Sequence, residues 1–247
     1  MRQISKCIKT IDELDVDLFN SLGLGVEIQD FTEPNLSEEK RKEIIKDYKI
    51  KLQDFHGLKA IHGPFLDLKP SSPDLLIREV SYKRYLDTIN AATELNVDYI
   101  IFHSQINPQL NEPFLSNLNN HQAKEFWDRI LVETEFEGTI VIENIFEERP
   151  NMLKDYINIV DSNIKINLDI GHAKVGNSTL EDWIMMLKEH IAYIHIHSNN
   201  GLYDQHQPPT LTEIKNLYNL LDKYEINPVL SLEYNIDNIE KEINKYL

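Results

Sequence analysis

The sequence predicts an α/β chain folded as a (β/α)8 TIM barrel, in a single domain spanning 1–247. Three observations carry that expectation. Short apolar runs alternate with longer amphipathic stretches from one end to the other. Eight such strand-then-helix pairs fit into 247 residues, the size that this barrel takes. Carboxylates and histidines gather where the strands end, which is where such a barrel builds its active site. The competing architecture is an open doubly wound sheet, but no Gly-rich dinucleotide fingerprint follows any strand, and the chain holds only 8 glycines.

In chain order, strands are expected at 2–8, 24–29, 58–62, 98–103, 139–143, 164–169, 192–197 and 228–233. Amphipathic helices are expected near 11–21, 36–54, 73–95, 119–135, 151–160, 179–189, 210–224 and 236–246. Ser72-Pro73-Asp74 and Arg149-Pro150-Asn151 put proline at a helix entrance, and Ser178/Thr179 ahead of Glu181-Asp182 supplies a cap and first-turn acids. Gly57 and Gly138 stand where helix gives way to strand, as C-terminal caps do. The polar segment 104–118 reads as an enlarged strand-to-helix loop.

Composition narrows the function classes. Hydrophobic residues make up 41% and charged residues 27%, enough for a real core and too apolar for disorder. The net charge of −16 repels nucleic acid and anionic membrane, so neither is an expected partner. One cysteine, Cys7, excludes an intramolecular disulfide and fits a reducing compartment. The N-terminus lacks a signal-peptide core and no apolar run reaches membrane-spanning length, so a cytoplasmic location is expected.

The densest chemistry lies in IAYIHIHSNNGLYDQH (191–206). Tyr193, His195 and His197 share one strand face, and the following loop carries Asp204 and His206. Reading the other strand ends in turn adds His62, His103, Glu143, Asp169 with His172, and Glu233. Alternation turns Ala60/His62, Ile101/His103, Val141/Glu143, Asn167/Asp169, His195/His197 and Ser231/Glu233 inward. Ile61, Phe102, Ile142, Leu168, Ile196 and Leu232 then face the helices. Taken singly, each polar residue has a structural reading: a strand-end turn at Glu143, a bend at His62-Gly63-Pro64, a capped loop at Asp169–His172. Together they bury four carboxylates beside several histidines, and such charges must be paired or bound to metal. Few cations stand nearby. Divalent metal is the expected cofactor, with Zn, Mn, Mg or Co suited to the oxygen and nitrogen donors.

HGPFLDLKPSSPD (62–74), IFHSQ (101–105), VIENIFEE (141–148), LDIGHAKV (168–175), YIHIHSNNGLYDQH (193–206) and SLEYN (231–235) resemble the xylose isomerase-like TIM barrels. That superfamily holds sugar and sugar-phosphate isomerases and epimerases, and also the apurinic-site endonucleases of the endonuclease IV type. The resemblance covers strands three to eight. In the isomerase branch it implies one divalent ion on Glu143, Asp169, His197 and Glu233, with Glu143 and Glu233 as the catalytic acid/base pair flanking the carbon that exchanges its proton. In the endonuclease branch it implies three zinc ions. His62, His103 and Glu143 would hold the first, Glu143, Asp169, His197 and Glu233 the second, and His172, Asp204 and His206 the third.

All nine residue types for the trinuclear site are present, which favours hydrolysis. The loops around the mouth argue the other way: their cations are Lys9, Lys69, Arg149 and Lys174. An enzyme of duplex DNA gains much of its affinity from several Lys and Arg contacts to phosphate. The expected substrate is therefore a small sugar or sugar phosphate, isomerised or epimerised through an enediolate. Lys69, Arg149 or Lys174 is expected to hold a phosphate, and His195, Phe65 and Tyr203 are expected beside the sugar. Phe31, Phe114, Phe146 and Tyr234 also fall near the mouth. The alternative is a zinc phosphoesterase of the endonuclease IV type. A non-catalytic sugar or metal sensor is a third reading, against which Glu143 and Glu233 count.

Overall fold

The computed structural model describes residues 2–160 and 163–246. Its parallel strands close into a barrel in chain order: β1 (Ile4–Ile8), β2 (Gly25–Ile28), β3 (Lys59–His62), β4 (Tyr99–His103), β5 (Thr139–Glu143), β6 (Lys165–Asp169), β7 (Ile191–Ile196) and β8 (Val229–Leu232). β8 returns to β1 with Leu230 opposite Ile4 and Ser231 opposite Ser5. The expected (β/α)8 barrel is the fold.

Strand alternation separates two cores. Ala60, Ile101, Val141, Tyr193 and Val229 point inward and plug the barrel. Ile61, Phe102, Ile142, Leu168, Ile196 and Leu232 point outward into the larger core beneath the helices. Above the inner plug, the same inward face carries polar side chains. Register sets them at neighbouring heights: His103 pairs with Glu143, Glu143 with Asn167, Asp169 with His195, and His195 with Ser231.

The helices are α1 (Val16–Leu22), α2 (Glu38–Lys51), α3 (Leu75–Leu95), α4 (Pro113–Glu133), α5 (Pro150–Ile157), α6 (Ile170–Val175), α7 (Leu180–Leu187), α8 (Leu211–Lys223) and α9 (Ile239–Ile243). Side-chain caps explain several starts. Asp15 accepts from the Leu18 amide, so α1 begins at Val16, and the expected first turn at 11–13 is a separate 3-10 turn. Thr179 with Asp182 and Thr210 with Glu213 form reciprocal capping boxes on α7 and α8.

Three expectations are corrected. Within 104–118, the last six residues already belong to α4, because Glu112 caps the Phe114 and Leu115 amides and Pro113 sits in the first turn. Asp169–His172 is the start of α6, because the Asp169 side chain accepts from the His172 amide. Gly57 and Gly138 cap no helix: α2 and α4 end at Lys51 and Glu133, and their C-caps are Leu52 and Thr134. Gly57 is instead needed for close approach, since a Cβ there would lie 2.1 Å from the Leu24 carbonyl oxygen. No helix among the described residues is long and apolar enough to cross a membrane.

Candidate metal centre

The floor of the site is a buried polar network on β1, β2, β7 and β8. Oε2 of Glu27 accepts hydrogen bonds from Tyr193 Oη at 3.0 Å, His195 Nε2 at 3.0 Å and Ser231 Oγ at 2.8 Å. Cys7 Sγ lies 3.2 Å from Ser231 Oγ, and burial pushes that thiol well above its ordinary pKa.

Directly above, His195 turns its other nitrogen to the carboxylates. Nδ1 lies 3.0 Å from Glu233 Oε2, 3.1 Å from Glu143 Oε2 and 3.8 Å from Asp169 Oδ2. Asn167 and Gln29 steady this group by donating to Glu143 Oε2 and Glu233 Oε1 at 2.9 and 2.8 Å. The sequence places His195 beside the substrate and His197 among the three carboxylates; in the structure His195 Nδ1 faces all three, and His197 Nε2 reaches Asp169 Oδ2 at 2.9 Å. The physical reason is height on the strand: His195 stands in register with Asp169 and Ser231, whereas His197 lies one inward position further along, beyond the last pair of β7.

His197 joins a second group with His172, Asp204 and His206. Asp204 Oδ2 receives His206 Nε2 at 3.0 Å and His172 Nε2 at 3.2 Å, and the His197 and His206 rings stack with centroids 4.0 Å apart. His197 Nε2 donates to Asp169 Oδ2 at 2.9 Å, which ties the two groups together. On the opposite wall, His62 Nε2 is 3.5 Å from Glu143 Oε2 and His103 Nε2 is 3.8 Å from Glu143 Oε1. Seven of the nine residues expected to ligate metal thus line one cavity, and Asp169 and His197, bonded to each other, join them through His172.

The histidines share a pattern. Nδ1 of His62, His172 and His206 donates to the backbone carbonyls of Gly63, Asn144 and Glu233, each at 2.9 Å. Their Nε2 atoms are left facing carboxylates. A histidine anchored at one nitrogen offers the other as a ligand of fixed direction.

Electrostatics follow from crowding. For Glu143, burial would raise the pKa, but His195, His103 and His172 outweigh it and hold the carboxyl well below its ordinary value. For His195, burial would lower it, and Glu233, Glu27 and Glu143 drive it well above instead. His206 is likewise opposed by burial but pushed up to about 9 by Asp204 and Glu233. Burial dominates at His103, whose pKa falls to about 3. The three carboxylates converge on a point where positive charge is required.

The donor set fits a divalent ion. Nδ1 of His195, Nδ1 of His197 and Oε2 of Glu233 are buried without a hydrogen-bond partner, although each looks toward these groups. Orphaned atoms of that kind are costly unless they have another partner. The nearby groups of possible ligands, His62/Glu143/His195, Glu143/Asp169/His172, Asp169/His195/Glu233 and His172/His197/Asp204/His206, offer oxygen and nitrogen alone.

Above the carboxylates lies a cavity of about 560 Å³ whose walls include Gln29, Phe65, Lys69, His103, Gln105 and Phe146. Asp67, Gln105 and His206 on its rim hold left-handed backbone, with φ of 57°, 57° and 46°. Non-glycine residues adopt that region rarely, and it concentrates at ligand sites. A larger cavity of about 780 Å³ lies on the far side of Glu233 and shares Gln29 and His206 with the first. The chemistry-bearing groups line the smaller one.

The residues expected to bind substrate divide. Phe65 stacks on His103 with centroids 4.3 Å apart, and Lys69 lines the cavity. Lys174 is instead held by Glu213 and Ser198 at 2.7 and 2.9 Å, outside the cavity walls. Arg149 precedes α5 and Tyr203 is 68% exposed, and neither lines the cavity. Phe31 and Tyr234 are buried. Glu27 was not anticipated. Its signal was a single acid on the inward face of an otherwise apolar strand, GVEI.

Comparison with known proteins places this arrangement. Residues 8–246 match the family described as xylose isomerase-like TIM barrel. The chain belongs to the xylose isomerase-like TIM barrel family. Two uncharacterised proteins of Methanocaldococcus jannaschii are 26% and 30% identical, over 64% and 66% of this chain. The matches span 58% and 65% of those relatives, so the chain covers less than two thirds of their length. Among solved structures, this xylose isomerase-like barrel is similar to a D-tagatose 3-epimerase-like protein, with a TM-score of 0.74, 22% identity and coverage of 99% and 94% of the two chains. It is also similar to a family 2 AP endonuclease from Brucella melitensis, with a TM-score of 0.67, 13% identity and coverage of 98% and 97%. At these identities the likeness to both is one of fold.

Proposed function

We propose that the chain is a divalent-metal-dependent isomerase or epimerase acting on a small sugar or sugar phosphate. The observation that carries this reading is the convergence of Glu143, Asp169 and Glu233 on Nδ1 of His195 beneath a cavity of sugar-accommodating size. These four residues would hold the ion. When bound, it would supply Lewis-acid polarisation of a carbonyl and its neighbouring hydroxyl. Glu143 and Glu233 approach the centre from β5 and β8, on either side of His195. In that arrangement one carboxylate takes the proton from a sugar carbon and the other returns it, from the same face or the opposite one. Phe65 and Phe146 give the substrate an apolar wall, and Lys69 offers one charge to a phosphate.

A second reading has its own support. The His172, His197, Asp204 and His206 group is a complete additional ligand set, as a multinuclear phosphoesterase requires. Against it, Lys69 is the sole Lys or Arg among the described residues lining the cavity. A duplex substrate would need several such contacts.

The test is a side-by-side assay of ion-loaded protein on two substrate classes. A panel of ketoses and their phosphates is incubated in D₂O, alongside a duplex containing one abasic site. The isomerase reading expects solvent deuterium at a carbon next to the carbonyl of at least one sugar, with the duplex intact. Incision of the abasic strand without deuterium in any sugar selects the phosphoesterase.

A further inference from the structure

Glu27 lies outside the ligand set and makes no contact with the cavity, yet it is fully buried on the inward face of β2. We infer that Glu27 is a positioning residue that fixes the direction of the His195 ring, and so sets how tightly the central site holds its ion. The inference rests on the metal reading above.

The geometry makes the case. Oε2 of Glu27 is 3.0 Å from His195 Nε2, on the side of the ring opposite the three carboxylates. An ionised carboxylate accepts and cannot donate, so Nε2 must carry its hydrogen. Nδ1 is then the nitrogen left to an ion once the ring gives up its second proton, and it is the atom directed at Glu143, Asp169 and Glu233. The carboxylate is itself held from two further sides, by Tyr193 Oη and Ser231 Oγ, so its position is determined before His195 is added. Three donors converge on one oxygen, while Oε1 stays buried without a partner. The hydrogen bonds are concentrated on the atom that faces His195. Outer partners of this kind orient metal-bound histidines and raise their basicity, and losing one typically lowers metal affinity about 10–100-fold.

The test is a double-mutant cycle on ion affinity, read by calorimetric titration of Mn²⁺ into demetallated full-length chain. Glu27→Gln keeps the shape but offers an amide whose NH₂ can face Nε2 and reverse the tautomer. It is expected to weaken Mn²⁺ binding by about 10–100-fold while the melting temperature of the ion-free chain changes little. His195→Ala weakens binding by itself. Adding Glu27→Gln to His195→Ala is then expected to cost no further affinity, because the residue through which Glu27 acts is gone. Should Glu27→Gln not fold, Glu27→Asp, which keeps the charge but withdraws it from Nε2, goes through the same cycle. Equal losses in the presence and absence of His195, or no loss with His195 present, overturn the role of Glu27 and leave the metal reading standing. A parent chain that takes up no Mn²⁺ overturns both.

Discussion

A Cβ on Gly171 would fall 2.0 Å from Cε1 and 2.2 Å from Nδ1 of His197. The first turn of α6 therefore runs directly against the imidazole, and only glycine leaves room for it. Asp169 caps that same turn and accepts from His197, so one short segment positions both residues.

Gly171→Ala is accordingly expected to displace His197 from Asp169 and Asp204. Overpacking of this kind costs about 1–3 kcal/mol of stability. Ion binding at the His172/His197/Asp204/His206 group should weaken, while binding at the His195 centre holds. Comparing ion stoichiometry and melting temperature with the parent chain checks both parts.

Replacing Glu143 or Glu233 by Gln removes a proposed ligand and one member of the proton-transferring pair together. Turnover should fall by at least about 10²–10⁴-fold, the scale of general acid–base catalysis. The check is kcat on the sugar that exchanges deuterium, with circular dichroism to confirm folding.

The ion-free chain should lose stability at both ends of the pH scale. His103, driven down to about 3 by burial, takes up its proton in the unfolded chain below about 6.5 but stays neutral when folded. Its contribution is therefore lost as pH falls from about 6.5 toward 3. His206, raised to about 9, works in the opposite sense. What it contributes is complete below about 6.5 and is lost as pH rises through 9. Histidines must shed their protons to bind metal, so ion uptake at pH 7 should release at least about one proton and strengthen as pH rises. Titration calorimetry in buffers of different ionisation enthalpy counts the protons. Added ion should also raise the melting temperature by mass action.

The double change Asp204→Ala/His206→Ala separates the two enzyme readings. A single working ion at His195 survives it, and the loss appears in substrate KM. A multinuclear site loses an ion and most of its phosphodiester cleavage. Metal analysis on the purified variant, paired with both assays, distinguishes the outcomes.

The barrel was legible because strand alternation is a local property: Ile61, Phe102 and Ile142 facing helices fix His62, His103 and Glu143 facing inward. The inward placement of the candidate site residues followed from that parity. What parity does not contain is height. His195 and His197 lie on the same face, and only the pairing of β7 with β6 and β8 shows that His195 stands level with the three carboxylates while His197 reaches Asp169 from one position further along. Helix α6 was hidden for a related reason, since it depends on the Asp169 cap and on a glycine chosen for His197. Lys174 and Arg149 stand in the expected loops, but whether a loop cation faces a cavity or a neighbouring glutamate depends on tertiary packing.

The central claim is that Glu143, Asp169, His195 and Glu233 hold the ion on which the chemistry depends. Anomalous diffraction from crystals of the Mn²⁺-loaded chain tests it directly. The predicted result is an ion within bonding distance of His195 Nδ1 and of an oxygen from each of the three carboxylates. Manganese found only among His172, His197, Asp204 and His206, with His195 Nδ1 unligated, would contradict it.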